Sequence, residues 1–269
     1  MTDEKSYYNE VADYYDEDAK SFEQRYEENR VLQKIRHSFR TVADRHPFDN
    51  ALEIGCGPGF DVCYFAERNP ESKVYGIDVS PEMVRLAEDN VKENNLSNTR
   101  LATGSVEDLH YLFPDTSFDL IYVFFGGLNT VYDLSLAASQ IKNISGPGTR
   151  LVLTFVNRYY ITEIPLWLAK GRTDKAFERV LGRWQGYSDN RKLPSNVFSA
   201  GDIRKAFKNH FKITETRGYS IFYPAWYRAH LLDKLGSVAE KLWRFDQLIS
   251  RTPFWNIGEY SLYEMVRDE

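Results

Sequence analysis

Leu52-Glu53-Ile54-Gly55-Cys56-Gly57-Pro58-Gly59 decides the fold of this 269-residue chain. Leu52 and Ile54 suit the end of a buried strand, three glycines follow at every second position, and an apolar helical pattern begins at Phe60. The reading is strand, tight turn, helix. Glycine is needed where the backbone takes φ > 0 or comes within contact distance of a ligand, so alternating glycines at a strand's carboxyl end predict a nucleotide-like group lying on bare backbone. Two details narrow this. Glu53 precedes the glycines by two residues, and Phe60 stands where the dinucleotide pattern G-x-G-x-x-G requires its third glycine. A carboxylate there repels a pyrophosphate and suits a cationic ligand.

Outward from this turn the pattern is regular. Before it, Tyr8, Val11, Tyr15, Ala19, Phe22 and Tyr26 fall at three- and four-residue steps, and Leu32, Ile35, Phe39 and Val42 repeat them. Two amphipathic helices over residues 1–46 are predicted, their aromatic stripe serving packing. After it come a helix over Phe60 to Arg68, a strand from Lys73 ending in Asp78, and a helix begun by Ser80 as cap and Pro81 in the first turn. Short strands are expected at Arg100 to Thr103, at the apolar run Phe118 to Phe125, and at Leu151 to Val156 after a break at Gly146-Pro147-Gly148. Strand and helix alternate over residues 47–157, which predicts an α/β fold: a Rossmann-like, doubly wound, mostly parallel seven-stranded sheet with ligands at the strands' carboxyl ends.

The rhythm breaks after Asn157. Helices over Ile161 to Lys170 and Lys175 to Trp184 and a polar loop over Gly186 to Pro194 make residues 158–198 a helical, aromatic cap insertion. Residues 199–269 complete the sheet with a helix near Ala200 to Asn209 and strands at Phe211 to Arg217 and Tyr260 to Arg267. A second insertion occupies about 220–257, where Leu231, Leu235, Val238, Leu242, Phe245 and Ile249 predict one long helix.

Composition sets bounds. The start Met1-Thr2-Asp3-Glu4-Lys5 has neither a basic nor an apolar signal character, and the longest mostly apolar run, Leu120 to Leu128, is far short of a bilayer span, so a soluble, cytoplasmic protein is expected. Cys56 and Cys63 lack metal-ligand spacing and the five histidines form no pair, so no metal site is expected. Residues 1–30 hold ten acidic against four basic side chains; residues 157–217 hold thirteen basic against six acidic. Solvated surfaces explain both runs, while an anionic acceptor beside the basic segment is the sharper reading. A net charge of −5 and the absence of a dense basic run disfavour nucleic acid as partner.

Asp78 lies nineteen residues beyond Gly59, where a carboxylate can take both hydroxyls of a ribose. With it the residues resemble a known family, the class I S-adenosylmethionine-dependent methyltransferases, in particular their small-molecule branch similar to ubiquinone and menaquinone methyltransferases. The matches are the glycine stretch, Gly76-Ile77-Asp78-Val79-Ser80-Pro81-Glu82-Met83-Val84, Gly104-Ser105-Val106-Glu107-Asp108-Leu109, Phe118-Asp119-Leu120-Ile121 and Gly148-Thr149-Arg150-Leu151-Val152-Leu153.

The resemblance implies that S-adenosyl-L-methionine is the cofactor and S-adenosyl-L-homocysteine the product. Glu53 and the backbone of Gly55 and Gly57 would hold the methionine portion, Asp78 the ribose. Val79 would pack on adenine, Ser105 and Val106 would face its edge, and Phe124 would lie beside the methionine tail. Tyr15 matches a tyrosine that closes over the cofactor in several relatives. Ser105 stands where relatives commonly carry an acid or amide, and Gly126-Gly127 where many carry bulkier polar residues, a change that would widen the acceptor pocket.

The reaction implied is in-line methyl transfer to a small molecule that is quinone-like, lipid-like or a natural product, anionic or apolar. Tyr15, Asn129 as an orienting amide, and His230 are the candidate catalytic groups. Aromatic residues of the two insertions would roof the acceptor, pair two subunits or touch a membrane surface. Two other readings compete: a dinucleotide-dependent oxidoreductase, opposed by Glu53 and Phe60, and a nonenzymatic cofactor binder.

Overall fold

The computed structural model describes residues 4–188 and 191–268, so Asp189 and Asn190 of the expected polar loop lie outside it. Helices α1 (Glu4–Glu28) and α2 (Arg30–Ala43) precede the core. Then follow β1 (Asn50–Ile54), α3 (Phe60–Arg68), β2 (Lys73–Asp78), α4 (Pro81–Glu93), β3 (Thr99–Thr103), α5 (Leu109–Leu112), β4 (Phe118–Val123), α6 (Leu134–Asn143) and β5 (Ser145–Val156). The rest of the chain forms α7 (Glu163–Ala169), α8 (Thr173–Ala176), α9 (Ala200–Phe207), β6 (Phe211–Tyr219), α10 (Leu231–Leu235), α11 (Ser237–Ile249) and β7 (Tyr260–Arg267).

The seven strands make one sheet in the order β3-β2-β1-β4-β5-β7-β6. β1 to β5 run parallel, and β7 is antiparallel to both β5 and β6. This is the α/β, mostly parallel, Rossmann-like sheet expected. The order reverses between β1 and β4, the crevice where such sheets bind ligands. Leu120 to Val123 and Leu151 to Leu153 are fully buried because apolar layers cover both faces. One layer brings α6 and α9 onto the sheet through Ile141, Ile203 and Phe207; the other brings α2 and α3 through Ile35, Phe39 and Phe65.

Local chemistry explains the boundaries. Ser80 caps α4 by accepting from Met83 N at 3.1 Å, with Pro81 in the first turn. Three expectations fail. Gly146-Pro147-Gly148 does not end a unit before β5: Phe118 pairs with Ser145 and Leu120 with Arg150, so these residues bulge within the strand, pinned by Thr149, whose hydroxyl donates to Phe118 O at 2.6 Å. Lys175 to Trp184 is not a helix. Only α8 is helical there, and the following residues make turns as Arg179 is drawn inward between Glu163 and Glu259. The single helix over residues 231–249 is broken at Gly236, whose φ of 49° and ψ of −125° lie outside the helical region that an L side chain would hold.

Candidate active site

The glycine stretch folds as a tight turn. Gly55, Gly57 and Gly59 all take positive φ, and a Cβ on Gly59 would come within 2.8 Å of the Ala87 Cβ. Its N–H groups are used internally: Gly55 and Cys56 donate to Ile77 O at 2.8 and 2.9 Å, and Gly57 donates to Asp78 Oδ2 at 2.8 Å. The carbonyls of Cys56, Pro58 and Gly59 accept within the chain from Gly59 N, Asn90 Nδ2 and Cys63 N, which leaves those of Gly55 and Gly57 as the turn's acceptors for a ligand. α3 carries a carboxylate of the chain's own, Asp61, in its first turn, which disfavours a second anion at that helix end. Arg36 Nη1 and Arg40 Nε bind the two Asp61 oxygens at 2.5 and 2.6 Å.

A cavity of about 230 Å³ opens at the carboxyl ends of β1, β2, β4 and β5. Gly55, Gly57, Glu53, Asp78, Val79, Ser105, Val106, Phe124 and Tyr15 all line it. The nine residues expected around a cofactor thus share one space, although they come from five separate segments. Glu53 is 2% exposed and its Oε2 has no hydrogen-bond partner among the described residues. Burial, then the neighbouring Asp61, raises its carboxyl well above the usual range, against the pull of Arg36 and Arg40. Asp78 is pushed up to about 6 by burial, offset in part by the N–H bonds from Ser80 and Gly57. Burial, with Asp78 nearby, also raises the Tyr15 hydroxyl. The Ser105 hydroxyl donates to Asp108 Oδ2 at 2.8 Å, so it caps the turn that carries Val106.

The three candidate catalytic groups fare differently. Tyr15 lies in the cavity wall. Asn129 also lines it, but its amide braces the backbone: Nδ2 donates to Asn196 O at 2.6 Å and Val156 O at 3.2 Å, and Oδ1 accepts from Val156 N at 2.8 Å. Both N–H groups are spent, which makes it a positioning residue for the β4 turn. His230 is withdrawn. It is exposed at the start of α10 and does not line the cavity.

Periodicity assigned the α1 aromatic stripe to packing, and here the structure corrects it. Tyr8, Tyr14, Phe22 and Tyr26 join Tyr15 in the cavity wall. α1 is tied across the sheet end by Asp16, which accepts from Ser80 Oγ at 2.5 Å and Glu82 N at 3.2 Å, by Tyr8 donating to Glu107 at 2.6 Å, and by Arg191 donating to Tyr14 O. The helical spacing with Tyr15 was the available signal. At the far side the wall is Trp184, Tyr187, Trp226 and Tyr260, of which Trp184 and Trp226 belong to the aromatic insertions expected as a roof. No lysine or arginine of residues 157–217 lines the cavity; its cations are Arg25 and Arg36, each already paired with a carboxylate, Asp18 and Asp61. That removes the geometric basis for an anionic acceptor beside the basic segment. Among the described residues there is no cluster able to hold a metal ion, and no helix is long and apolar enough to cross a membrane.

The seven-stranded Rossmann-like sheet places the glycine turn and the buried Glu53 carboxylate at one cavity. A family model described as a methyltransferase domain matches residues 46–213, and the chain belongs to that family. It is 36% identical over 99 residues to a demethylmenaquinone methyltransferase of Geobacillus stearothermophilus, covering 36% of this chain and 41% of that protein. The match to a Listeria welshimeri demethylmenaquinone methyltransferase is 33% over 103 residues, 38% of this chain and 42% of the relative. The chain thus spans about two-fifths of the length of the curated relatives it matches. In fold it is similar to an S-adenosylmethionine-dependent methyltransferase from Clostridium acetobutylicum, with a TM-score of 0.57 at 15% identity over 86% of this chain and 88% of that one.

Proposed function

We propose that the protein is an S-adenosylmethionine-dependent methyltransferase acting on an uncharged, apolar or aromatic small molecule, whether quinone-like, lipid-like or another natural product. The observation that carries this reading is the Glu53 carboxylate, buried in the cavity beside the glycine turn with one oxygen unpartnered. A buried carboxylate with a bare oxygen is costly unless a ligand completes it, and the ligand that does so must bring a donor and preferably a positive charge. The methionine ammonium meets both needs. The acceptor character of the turn points the same way and away from the pyrophosphate of a dinucleotide, as does Asp61 at the amino end of α3.

In this reading Glu53 and the carbonyls of Gly55 and Gly57 hold the methionine portion, Asp78 the ribose, and Val79, Ser105 and Val106 the adenine. Phe124 and Tyr15 flank the tail. The cofactor, when bound, supplies a methyl carbon on a sulfonium that leaves as a neutral thioether without needing a proton. The protein's own part is alignment and exclusion of water, and holding reactants in line is worth roughly 7 to 11 kcal/mol. α1 supplies the exclusion, since its aromatic face closes the cavity. Aromatic walls and fully paired cations favour an uncharged acceptor. The test is thermal unfolding with S-adenosylhomocysteine and, separately, with NAD. A ligand bound only by the folded state raises the melting temperature by mass action, so S-adenosylhomocysteine should raise it and NAD should not. No shift at millimolar S-adenosylhomocysteine overturns the reading.

A further inference from the structure

Tyr260 opens β7 opposite Val156. β4 and β5 separate β7 from β1, so the far wall faces the glycine turn from the other side of the same cavity. Two tyrosine rings of that wall share a hydrogen-bonded line. Trp226 bonds the Tyr260 hydroxyl, the Tyr260 and Tyr187 hydroxyls are 3.3 Å apart, and Tyr187 donates to Glu259 Oε1. An indole N–H can only donate and a carboxylate can only accept, so Trp226 donates to Tyr260 Oη, and the one Tyr187 proton is directed to Glu259 with Tyr260 Oη as its second acceptor. The Tyr187 oxygen accepts from neither partner, so its lone pairs are open to an additional donor.

Glu259 is an unusual terminus. It is fully buried, and its Oε2 has no hydrogen-bond partner among the described residues. Its charged neighbours are Arg179, with Nη2 at 3.2 Å, and Glu163, which shares Arg179 through Nε at 3.1 Å and has Arg228 at 3.6 Å. Tyr160 and Tyr227 face the same cluster, and Tyr227 donates to Glu163 at 2.8 Å. Glu163 is therefore bracketed by two guanidiniums and a hydroxyl, whereas Glu259 must share one guanidinium. A carboxylate so placed is a better base than one in water, and burial does raise its pKa. Burial and Glu259 raise Tyr187 as well, which disfavours a standing tyrosinate and favours a hydroxyl that passes one proton on as it receives another.

We propose that Tyr187, backed by Glu259, takes the proton from an acidic hydroxyl, phenolic or enolic, on the methyl acceptor. This rests on the methyltransferase reading. The acceptor O–H bond breaks, its proton goes to Tyr187 Oη, and the Tyr187 proton goes to Glu259 Oε1. The acceptor oxygen keeps the electron pair and spends it on the methyl carbon, and the pair of the broken C–S bond leaves with the thioether. Tyr187 is the catalytic residue. Glu259 acts through it, and Arg179 positions Glu259.

The test uses 2-naphthol, a fluorescent probe whose neutral and ionised forms emit differently and which sheds its proton on excitation only where an acceptor is within reach. With the full chain, bound probe should emit as naphtholate. Tyr187→Phe and Glu259→Gln should each lower the naphtholate-to-naphthol emission ratio by about a hundredfold, the low end of what a positioned proton acceptor contributes, and Glu259→Asp should recover part of it. Tyr187→Phe keeps the ring packing, so it remains informative if Glu259→Gln fails to fold. Naphtholate emission unchanged in Tyr187→Phe, or no saturable probe binding by wild type, overturns the proposal. The readout needs no cofactor, so a failure here is distinct from failure to bind S-adenosylhomocysteine.

Discussion

Two regions of this molecule solve one electrostatic problem in opposite ways. At the glycine turn, Arg36 and Arg40 hold Asp61 and leave Glu53 with a bare oxygen; after Val156, Arg179 and Arg228 hold Glu163 and leave Glu259 with a bare oxygen. Each site pairs two carboxylates with two arginines and under-compensates one carboxylate. The difference is access. Glu53 lines the cavity, whereas Glu259 does not and is hydrogen-bonded to a residue that does, Tyr187. A bare carboxylate open to a cavity is suited to bind a cation, and one behind a hydroxyl is suited to receive a proton. In the reading proposed above, similar charge clusters serve binding at one end of the cavity and proton transfer at the other.

The comparison breaks most visibly through the shared partners. Asp61→Ala strands two guanidiniums, and Arg179→Met strands Glu259 and leaves Glu163 to Arg228 and Tyr227, so each should cost about 3 to 5 kcal/mol in urea unfolding, the penalty for removing one partner of a buried ion pair. They should part in binding. S-adenosylhomocysteine affinity should fall with Asp61→Ala and stay within about twofold with Arg179→Met, since sites that share no partners act independently. Equal losses in both variants would mean that the two clusters are one.

Next in size is the charge on Glu53. Its carboxyl is raised in the free protein, and an ammonium favours the ionised form, so binding should release a proton. The sign follows: affinity for S-adenosylhomocysteine rises with pH below the free protein's value and levels off above it. Calorimetry in two buffers of different ionisation heat should show the release in wild type and none in Glu53→Gln, whose affinity should be weaker by about 1.5 to 3 kcal/mol, the worth of a hydrogen bond to a charged group. Equal heats in both buffers for the wild type would show that Glu53 is already ionised or lies off the ligand.

The smallest effect expected is at the lid. Ser80→Ala removes the α4 cap and the hydroxyl that Asp16 accepts, and cap loss is worth about 1 kcal/mol. Faster amide exchange in α1 than in α2 would tie the loss to the lid. Uniform exchange would place α1 within the global unit.

Much of the first region was legible in order along the chain. Glycine at positive φ, a strand-end carboxylate and a proline-capped helix are constraints acting within a few residues, and Gly55, Glu53, Asp78 and Ser80 fall where local rules place them. The second region was legible only in outline. Of the stripe expected over residues 231–249, Val238 and Phe245 are exposed while Leu232, Ala239 and Asp246 are buried, and periodicity does not see the backbone angle that splits the helix at Gly236.

The sequence by itself determined the α/β sheet, its glycine turn and the strand-end positions of Glu53 and Asp78, because short-range sterics and hydrophobic period act on neighbours in the chain. Only the tertiary structure decided that the α1 tyrosines face a cavity, that Asn129 spends its amide on backbone and that His230 lies outside. It alone joined Arg179 to Glu259 and Tyr187 to Tyr260, partners 80 and 73 residues apart. A buried charge sets no spacing rule along the chain, since what it requires is a partner in space, and folding is free to supply that partner from any distance.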